Sequence, residues 1–322
     1  MADRDRRSRA SSRPASEPTR RSFLSTAAAV GGVTTAGCLA GEDRISVLAA
    51  GSLAVALEER VGPAFESAVG VRFDGEYHGT NALLRMVESG RSRPDVVIGV
   101  DVSLLRERLY PDHTRWDVEF ATNELGIAYA PETDLGRRLE ADNDEPWYDV
   151  FADAPAGSIG ITDPDQSPLG YRALQLFELA EHEHSLDGFV ETMADRTVVD
   201  AREGQLLGGL EAGSRAFALV YRNMAADREL PFYRLPDAYN FSDPDRAASY
   251  ERASYVTDDG HAVTGSAVVY NAAVPETAAD PDGAKQFVAT LLERPSLLEE
   301  SGLRVPDALP RTYGEPPEVV GA

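Results

Sequence analysis

The stretch Ile45-Ser46-Val47-Leu48-Ala49-Ala50-Gly51-Ser52-Leu53 decides the fold. Its first five residues are a short, nearly all-apolar run, the pattern of a strand buried on both faces. Ala50-Gly51-Ser52 breaks the run, and behind it Leu57, Val61, Phe65 and Val69 recur at helical spacing. Strand, turn and helix in that order open an α/β protein. The unit then repeats. Residues 71–77 predict a strand, His78-Gly79-Thr80 a turn, and 81–89 a helix that turns Leu83, Leu84 and Val87 inward. A third buried strand is predicted over 95–100 (DVVIGV), a short helix over 103–109, and a further strand over 124–130 (ELGIAYA).

Farther on, helices are expected near 134–141 and from Trp147, and a fresh block begins with a strand over 158–162 (SIGIT) and a helix over 169–183. A strand near 197–199, a helix over 203–213, strands over 217–221 (FALVY) and 261–271, and helices over 281–293 and 295–300 complete the reading. No repeat of 20–50 residues appears, which disfavours solenoids and propellers. The order suggests two α/β lobes around a hinged cleft. The first, 45–121 and 266–312, is interrupted by the second, 122–265, with crossings near 120–124 and 264–268 and a tail over 313–322.

The chain has 322 residues, 43% hydrophobic and 26% charged, enough to bury a full core. Its 54 acidic residues against 31 basic ones give a net charge of −23, which disfavours nucleic-acid partners because a duplex needs a basic face to release counterions. Lysine occurs only at Lys285, within Ala284-Lys285-Gln286, so the Gly-Lys of a phosphate-binding loop is missing. An acidic, lysine-poor, arginine-tolerant composition resembles that of halophilic archaeal proteins, whose surface carboxylates hold water while strong salt screens their repulsion.

Residues 1–37 read as an address. Arg4, Arg6, Arg7, Arg9 and Arg13 lie among Ser, Pro and Ala without apolar periodicity; Arg20-Arg21-Ser22-Phe23-Leu24 and a small apolar run follow, and Thr35-Ala36-Gly37-Cys38 ends the segment. The pattern resembles a twin-arginine export signal joined to a lipobox, with Cys38, the only cysteine, as the lipid attachment point and 38–44 as a tether. Processing before Cys38 leaves 24 basic and 51 acidic residues, a net charge of −27. The implied location is the outer face of the cytoplasmic membrane.

The chemistry sits at helix starts. Gly51-Ser52, Gly79-Thr80 and Ser167-Pro168 each put a hydroxyl residue where a predicted helix follows a strand. Such residues are good N-caps, and capping alone is the simplest account of any one of them. Free N–H groups at a helix start also favour an anion, and open α/β sheets bind ligands beyond the carboxyl ends of their strands. Three such ends around one cleft would form a neutral oxyanion site built of dipoles and hydroxyls.

Ala50-Gly51-Ser52-Leu53, Asp95-Val96-Val97 with Asp101 following, Phe120-Ala121-Thr122-Asn123-Glu124, Gly170-Tyr171-Arg172-Ala173-Leu174, Tyr221-Arg222 and Leu235-Pro236-Asp237 stand in an order and spacing that resemble the archaeal molybdate/tungstate-binding proteins of ABC transporters. Asp163-Pro164 with Pro168-Leu169-Gly170 is also similar to a loop of bacterial molybdate-binding proteins. The resemblance covers about residues 45–310. It implies a type II periplasmic-binding-protein fold, a non-enzymatic role with no cofactor, and capture of molybdate or tungstate by a monomer that delivers it to an ABC permease. Gly51, Ser52, Thr80, Ser167, Pro168, Leu169 and Tyr239 are the oxyanion-binding residues it implies.

Archaeal members that hold the metal six-coordinate use carboxylates at the pre-proline position and just before the Tyr-Arg pair, and here those positions are Ser167 and Val220. The expected ligand is therefore an intact tetrahedral dianion held by hydrogen bonds, with no protein side chain on the metal. Asp163, Asp165 and Glu203 lie nearby but two or more residues out of register. Sulfate or another tetrahedral anion is the alternative ligand, and a surface hydrolase using the same cleft is a reading from a different class.

Other residues carry less. His182 and His184 lie two apart in a helix and point to different faces. His78 reads as a loop histidine near the cleft, Arg172 and Arg222 as structural partners of carboxylates, and Trp116 and Trp147 as core anchors. The chain lacks a Gly-x-Ser-x-Gly elbow and a His-Glu-x-x-His helix, so hydrolysis has no evident nucleophile or metal.

Overall fold

The computed structural model describes residues 43–140 and 145–320. The export signal, Cys38 and most of the tether lie outside the described residues. The strands are β1 (Arg44–Ala50), β2 (Arg72–His78), β3 (Val96–Gly99), β4 (Trp116–Thr122), β5 (Leu125–Tyr129), β6 (Ile159–Thr162), β7 (Thr197–Asp200), β8 (Phe217–Tyr221), β9 (Phe232–Arg234), β10 (Ser254–Val256), β11 (Ala262–Thr264), β12 (Val269–Ala273) and β13 (Arg311–Gly314).

Among the described residues they form a six-stranded sheet ordered β13-β4-β12-β3-β1-β2, a five-stranded sheet ordered β7-β6-β8-β5-β9, and the β10-β11 hairpin. In the larger sheet β1 pairs parallel with both β2 and β3, while β12 runs antiparallel to β3 and β4. The smaller sheet repeats the scheme: β6 is parallel to β7 and β8, and β5 is antiparallel to β8 and β9. Each sheet with its helices is one lobe of a two-lobe type II binding-protein fold.

The apolar pattern of β1 has its expected cause. Ile45, Val47 and Ala49 join the main core, whereas Leu48 points to the opposite face and packs with Leu83, Leu84, Val87 and Val97. Both faces of the strand are covered, so alternation with polar residues is absent. The stretch behind it is less regular than the single helix expected. It opens as a 3-10 turn, Gly51–Leu53, passes through a π-turn, Leu57–Val61, and ends as the α-helix Gly62–Val69. Leu57, Val61 and Phe65 are nonetheless buried in the core.

The chain passes between lobes twice. β4 runs into β5 through Asn123 and Glu124, and the chain returns after β11 through residues 265–268 into β12. The two passages lie side by side, Asn123 N donating to Val268 O at 3.1 Å. The strand expected over 261–271 is thus two strands. Gly265 explains the break: a Cβ there would meet Tyr250 O at 2.2 Å, a close backbone approach that interrupts the ladder. The expected tail also starts inside an element, because β13 pairs antiparallel with β4 over Arg311–Gly314. No helix among the described residues is long and apolar enough to cross a membrane.

Candidate functional site

A cavity of about 660 Å³ opens between the lobes, lined from one side by Gly51, Tyr77, His78 and Gly79 and from the other by Thr162, Gln166, Ser167, Arg202 and Glu203. Four helix starts reach it. Three have no side-chain cap: the Gly51–Leu53 turn behind Ala50, the helix Thr80–Glu88 behind Gly79, and the helix Glu203–Glu211 behind Arg202. The fourth, Pro168–His184, is capped by Ser167, whose Oγ accepts from Leu169 N at 3.3 Å. Ser167 therefore performs the capping role that its residue type also suggested. Leu169 is buried in the core and Pro168 occupies the first helical turn, where its missing N–H costs nothing.

The lobes meet at this spot. Ala82 N donates to Gln166 O at 3.2 Å and Asn81 Nδ2 to Asp165 O at 2.7 Å, so the start of the Thr80 helix in the first lobe holds the Gln166 loop of the second. Gly79 makes the approach feasible, since a Cβ there would stand 2.2 Å from Gln166 O.

Ser52 and Thr80 are both buried. Thr80 Oγ1 accepts from Val100 N at 3.2 Å, which leaves its own proton to donate. Ser52 Oγ lies 3.0 Å from the Tyr270 hydroxyl. That hydroxyl accepts from Asn123 Nδ2 at 3.2 Å, and the same amide donates to Asn223 Oδ1 at 2.8 Å. Asn223 Nδ2 closes the ring on Ser52 O at 2.5 Å. The ring spans the first lobe, the crossing and the second lobe, so the Ser52 turn is fixed by groups from both sides.

A second buried network lies beneath. Arg172, fully buried, donates to Val100 O and to the Tyr221 hydroxyl, both at 3.0 Å, and to Asp101 Oδ2 at 3.2 Å. Asp101 Oδ2 also accepts from the Tyr171 hydroxyl at 2.6 Å, while its Oδ1 caps the helix Val102–Leu109 through Leu104 N at 3.0 Å. Arg172 is thus the structural partner of a carboxylate, as its place in a helix suggested, and it joins the lobes. Burial pushes the Tyr221 hydroxyl up to about 12 and that of Tyr270 higher still, so both remain neutral donors.

Tyr239 requires a correction. Its hydroxyl lies 3.1 Å from Trp147 Nε1 and 3.0 Å from His184 Nε2. His184 ends the 17-residue helix that Ser167 begins, so Tyr239 stands about 25 Å from the cavity end of that helix. Position after a Leu-Pro segment placed it near the cleft in sequence, but the chain there folds into the second lobe's aromatic core. Tyr77 lines the cavity, whereas Tyr221, at the end of β8, and Tyr270, near the start of β12, belong to the buried networks behind it.

Two cavity residues had gone unassigned. Thr162 Oγ1 and Glu203 Oε2 are buried atoms without a hydrogen-bond partner. Thr162 ends β6 at its carboxyl edge, the place where open sheets bind ligands. Glu203 opens a helix after β7, so the strand-turn-helix pattern that singled out Ser52 and Thr80 also extends to it. Among the described residues no group of three or more His, Cys, Asp or Glu side chains is arranged to hold a metal ion.

A two-sheet α/β fold with a polar, helix-ended cleft between its lobes defines the class of solute-binding proteins. The bacterial extracellular solute-binding protein family model matches residues 45–304, and the chain belongs to that family. It is 44% identical to an uncharacterized solute-binding protein of Halobacterium salinarum over 94% of this chain and 97% of that one. It is 38% identical to a putative ABC transporter molybdenum-binding protein of Haloferax volcanii, again over 94% and 97%. It is 27% identical to the molybdate/tungstate-binding protein WtpA of Thermococcus kodakarensis over 84% and 86%. In fold it resembles the periplasmic molybdate-binding protein of Azotobacter vinelandii, with a TM-score of 0.59 at 16% identity, covering 82% of this chain and all of that one. By family the chain is an extracellular solute-binding protein rather than an enzyme.

Proposed function

We propose that this protein captures molybdate or tungstate as an intact tetrahedral dianion and presents it to an ABC permease. One observation carries the reading: three helix starts without side-chain caps, from two lobes, open on a single cleft. Their N–H groups supply donors and positive dipole ends, and the Ser52, Thr80 and Thr162 hydroxyls add neutral donors beside them. Gly51 and Ser167 line the wall that receives the ion, with Pro168 and Leu169 behind Ser167 at the start of its helix. Arg202 contributes positive charge at the edge of the cavity, which His78 also borders.

Metal–oxygen bonds in molybdate and tungstate are longer than the sulfur–oxygen bonds of sulfate. A fixed ring of donors therefore leaves N–H groups unpaired around the smaller ion, at about 1–3 kcal/mol for each orphan. Titration calorimetry with tungstate, molybdate and sulfate tests this. One-to-one binding of the first two is expected, with sulfate at least tenfold weaker. Equal or tighter sulfate binding would transfer the assignment to sulfate.

Ligand that bridges the lobes stabilises the closed form by its differential affinity for it. The proposal includes twin-arginine export, lipid anchoring at Cys38 and action as a monomer on the outer membrane face. Metabolic labelling of wild type against Cys38→Ser checks the anchor, and loss of the lipid label and release into the medium are expected for the variant.

A further inference from the structure

We propose that Glu203 serves the cleft as a neutral hydrogen-bond donor, so that oxyanion capture depends on the proton carried by its carboxyl group. The proposal rests on the oxyanion reading above and deepens it. Glu203 is half-buried as a residue, but its Oε2 atom is shut off from solvent and has no hydrogen-bond partner. That atom lies over the first residue of the Gly51 turn: a Cβ on Gly51 would meet it at 2.4 Å. The carboxyl group thus stands at the opening of one uncapped helix start and belongs to the first residue of another.

Around it are Tyr77 and His78 from β2, Arg91 beyond the Thr80 helix, its neighbour Arg202, and the buried hydroxyls of Tyr221 and Tyr270. His78 Nε2 is engaged by Glu76 at 2.8 Å, and no ion pair to Glu203 occurs among the described residues. Burial without a compensating cation pushes the Glu203 carboxyl up to about 8.

A bound dianion strengthens this preference. Ionised Glu203 would add a like charge beside the ion, whereas the protonated form offers an O–H donor to an oxygen that needs one. No bond to the metal is required. Molybdate and tungstate are fully ionised at neutral and alkaline pH, so any proton taken up on binding there comes to the protein. Above the carboxyl's own midpoint each captured ion draws one proton from solvent, and the dissociation constant rises about tenfold per pH unit.

The test is calorimetry of the wild-type protein with tungstate from pH 7.5 to 10, a range in which a histidine of ordinary pKa is already neutral. Titrations in buffers of different ionisation enthalpy report the protons taken up. The expected result is a dissociation constant that climbs above about pH 8, with close to one proton absorbed per ion at the alkaline end, and loss of both features in Glu203→Gln. The wild-type proton count alone tests the idea if the variant does not fold. A pH-independent wild-type constant overturns the donor role while leaving oxyanion capture intact. Affinity that increases with pH also overturns it, because a carboxylate acting as a metal ligand must lose its proton first. The same climb in Glu203→Gln assigns the proton to another group and overturns it too. Failure of tungstate, molybdate and sulfate to bind at any pH overturns both this role and the function on which it rests.

Discussion

The hydroxyl of Ser52 lies 3.0 Å from that of Tyr270, so the first helix start of the cleft is held by a residue more than two hundred positions later in the chain. Tyr270 sits on β12, immediately after the second crossing between lobes. Its partner Asn123 sits on the first crossing. The serine proposed as a ligand donor is therefore positioned by the two segments that cross between the lobes.

Ser52→Ala removes one donor and leaves the buried Tyr270 hydroxyl with Asn123 alone. Tungstate affinity should fall about tenfold, the cost of one orphaned polar group. Thr80→Val should give a loss of similar size and also strip the acceptor from Val100 N. Unchanged dissociation constants in both variants would remove the hydroxyls from the binding set.

Gly79→Ala tests the approach of the lobes without touching a hydroxyl. The backbone at Gly79 is extended, φ −60° and ψ 141°, and alanine adopts that conformation readily. Its Cβ collides with the Gln166 carbonyl only when the lobes meet. The variant should keep a wild-type melting temperature within a few degrees, yet bind tungstate at least tenfold more weakly and scatter X-rays with a larger radius of gyration in the presence of ligand. Wild-type binding would show that the contact is dispensable for closure.

Arg172→Met leaves Asp101 in a buried site without its cation, although Tyr171 and Leu104 still donate to it. Breaking a buried pair in this way costs about 3–5 kcal/mol, which lowers the melting temperature of a domain of this size by roughly 10 °C. Thermal unfolding followed by circular dichroism measures it. Because the pair is shielded, the loss should persist in molar salt, where exposed ion pairs are screened.

The pH dependence of stability gives an independent reading of Glu203. Its carboxyl pKa is raised to about 8 in the folded chain, above the unfolded value. Folding therefore favours its protonated form, and stability declines as pH rises from the ordinary carboxylate range through about 8, then levels. Glu203→Gln removes that decline. Without ligand, the variant should melt at a higher temperature than wild type at pH 8–9, with the gap shrinking toward pH 5. A gap of opposite sign would mean that the ionised carboxylate is stabilised in the cleft.

X-ray absorption on the tungstate complex should show four short metal–oxygen distances, since Ser167 and Val220 replace the two carboxylates expected of six-coordinate relatives. Six oxygen neighbours would bring protein carboxylates onto the metal.

Much of this architecture was legible because buried sheets leave a simple trace. The apolar runs at 45–49, 95–100 and 217–221 are strands covered on both faces, and Leu83, Leu84 and Val87 recur at helical spacing because one stripe of their helix packs on the sheet. β13 had no such trace. All four of its residues are exposed, and it is a strand only because the edge of β4 offers it partners. The division of 261–271 into β11 and β12 was hidden for a related reason, since apolar periodicity does not register a crossing between two cores.

The site divides in the same way. Order along the chain was enough to mark Gly51, Ser52, Thr80 and Ser167 as helix starts, because helix starts after strands are local events set by neighbouring residues. It also assigned Tyr239 to the cleft, and the structure sends that residue to the far end of the helix that Ser167 begins. The amino-acid order alone determined the two-lobe α/β plan and which turns carry donors, since burial periodicity and capping act over a few residues. Which hydroxyls and carboxyls gather around one cavity was decided only in three dimensions. Thr162 and Glu203 line it because sheet pairing and lobe contact join segments far apart in the chain, and the desolvation that pushes the Glu203 carboxyl up exists only once both lobes are in place.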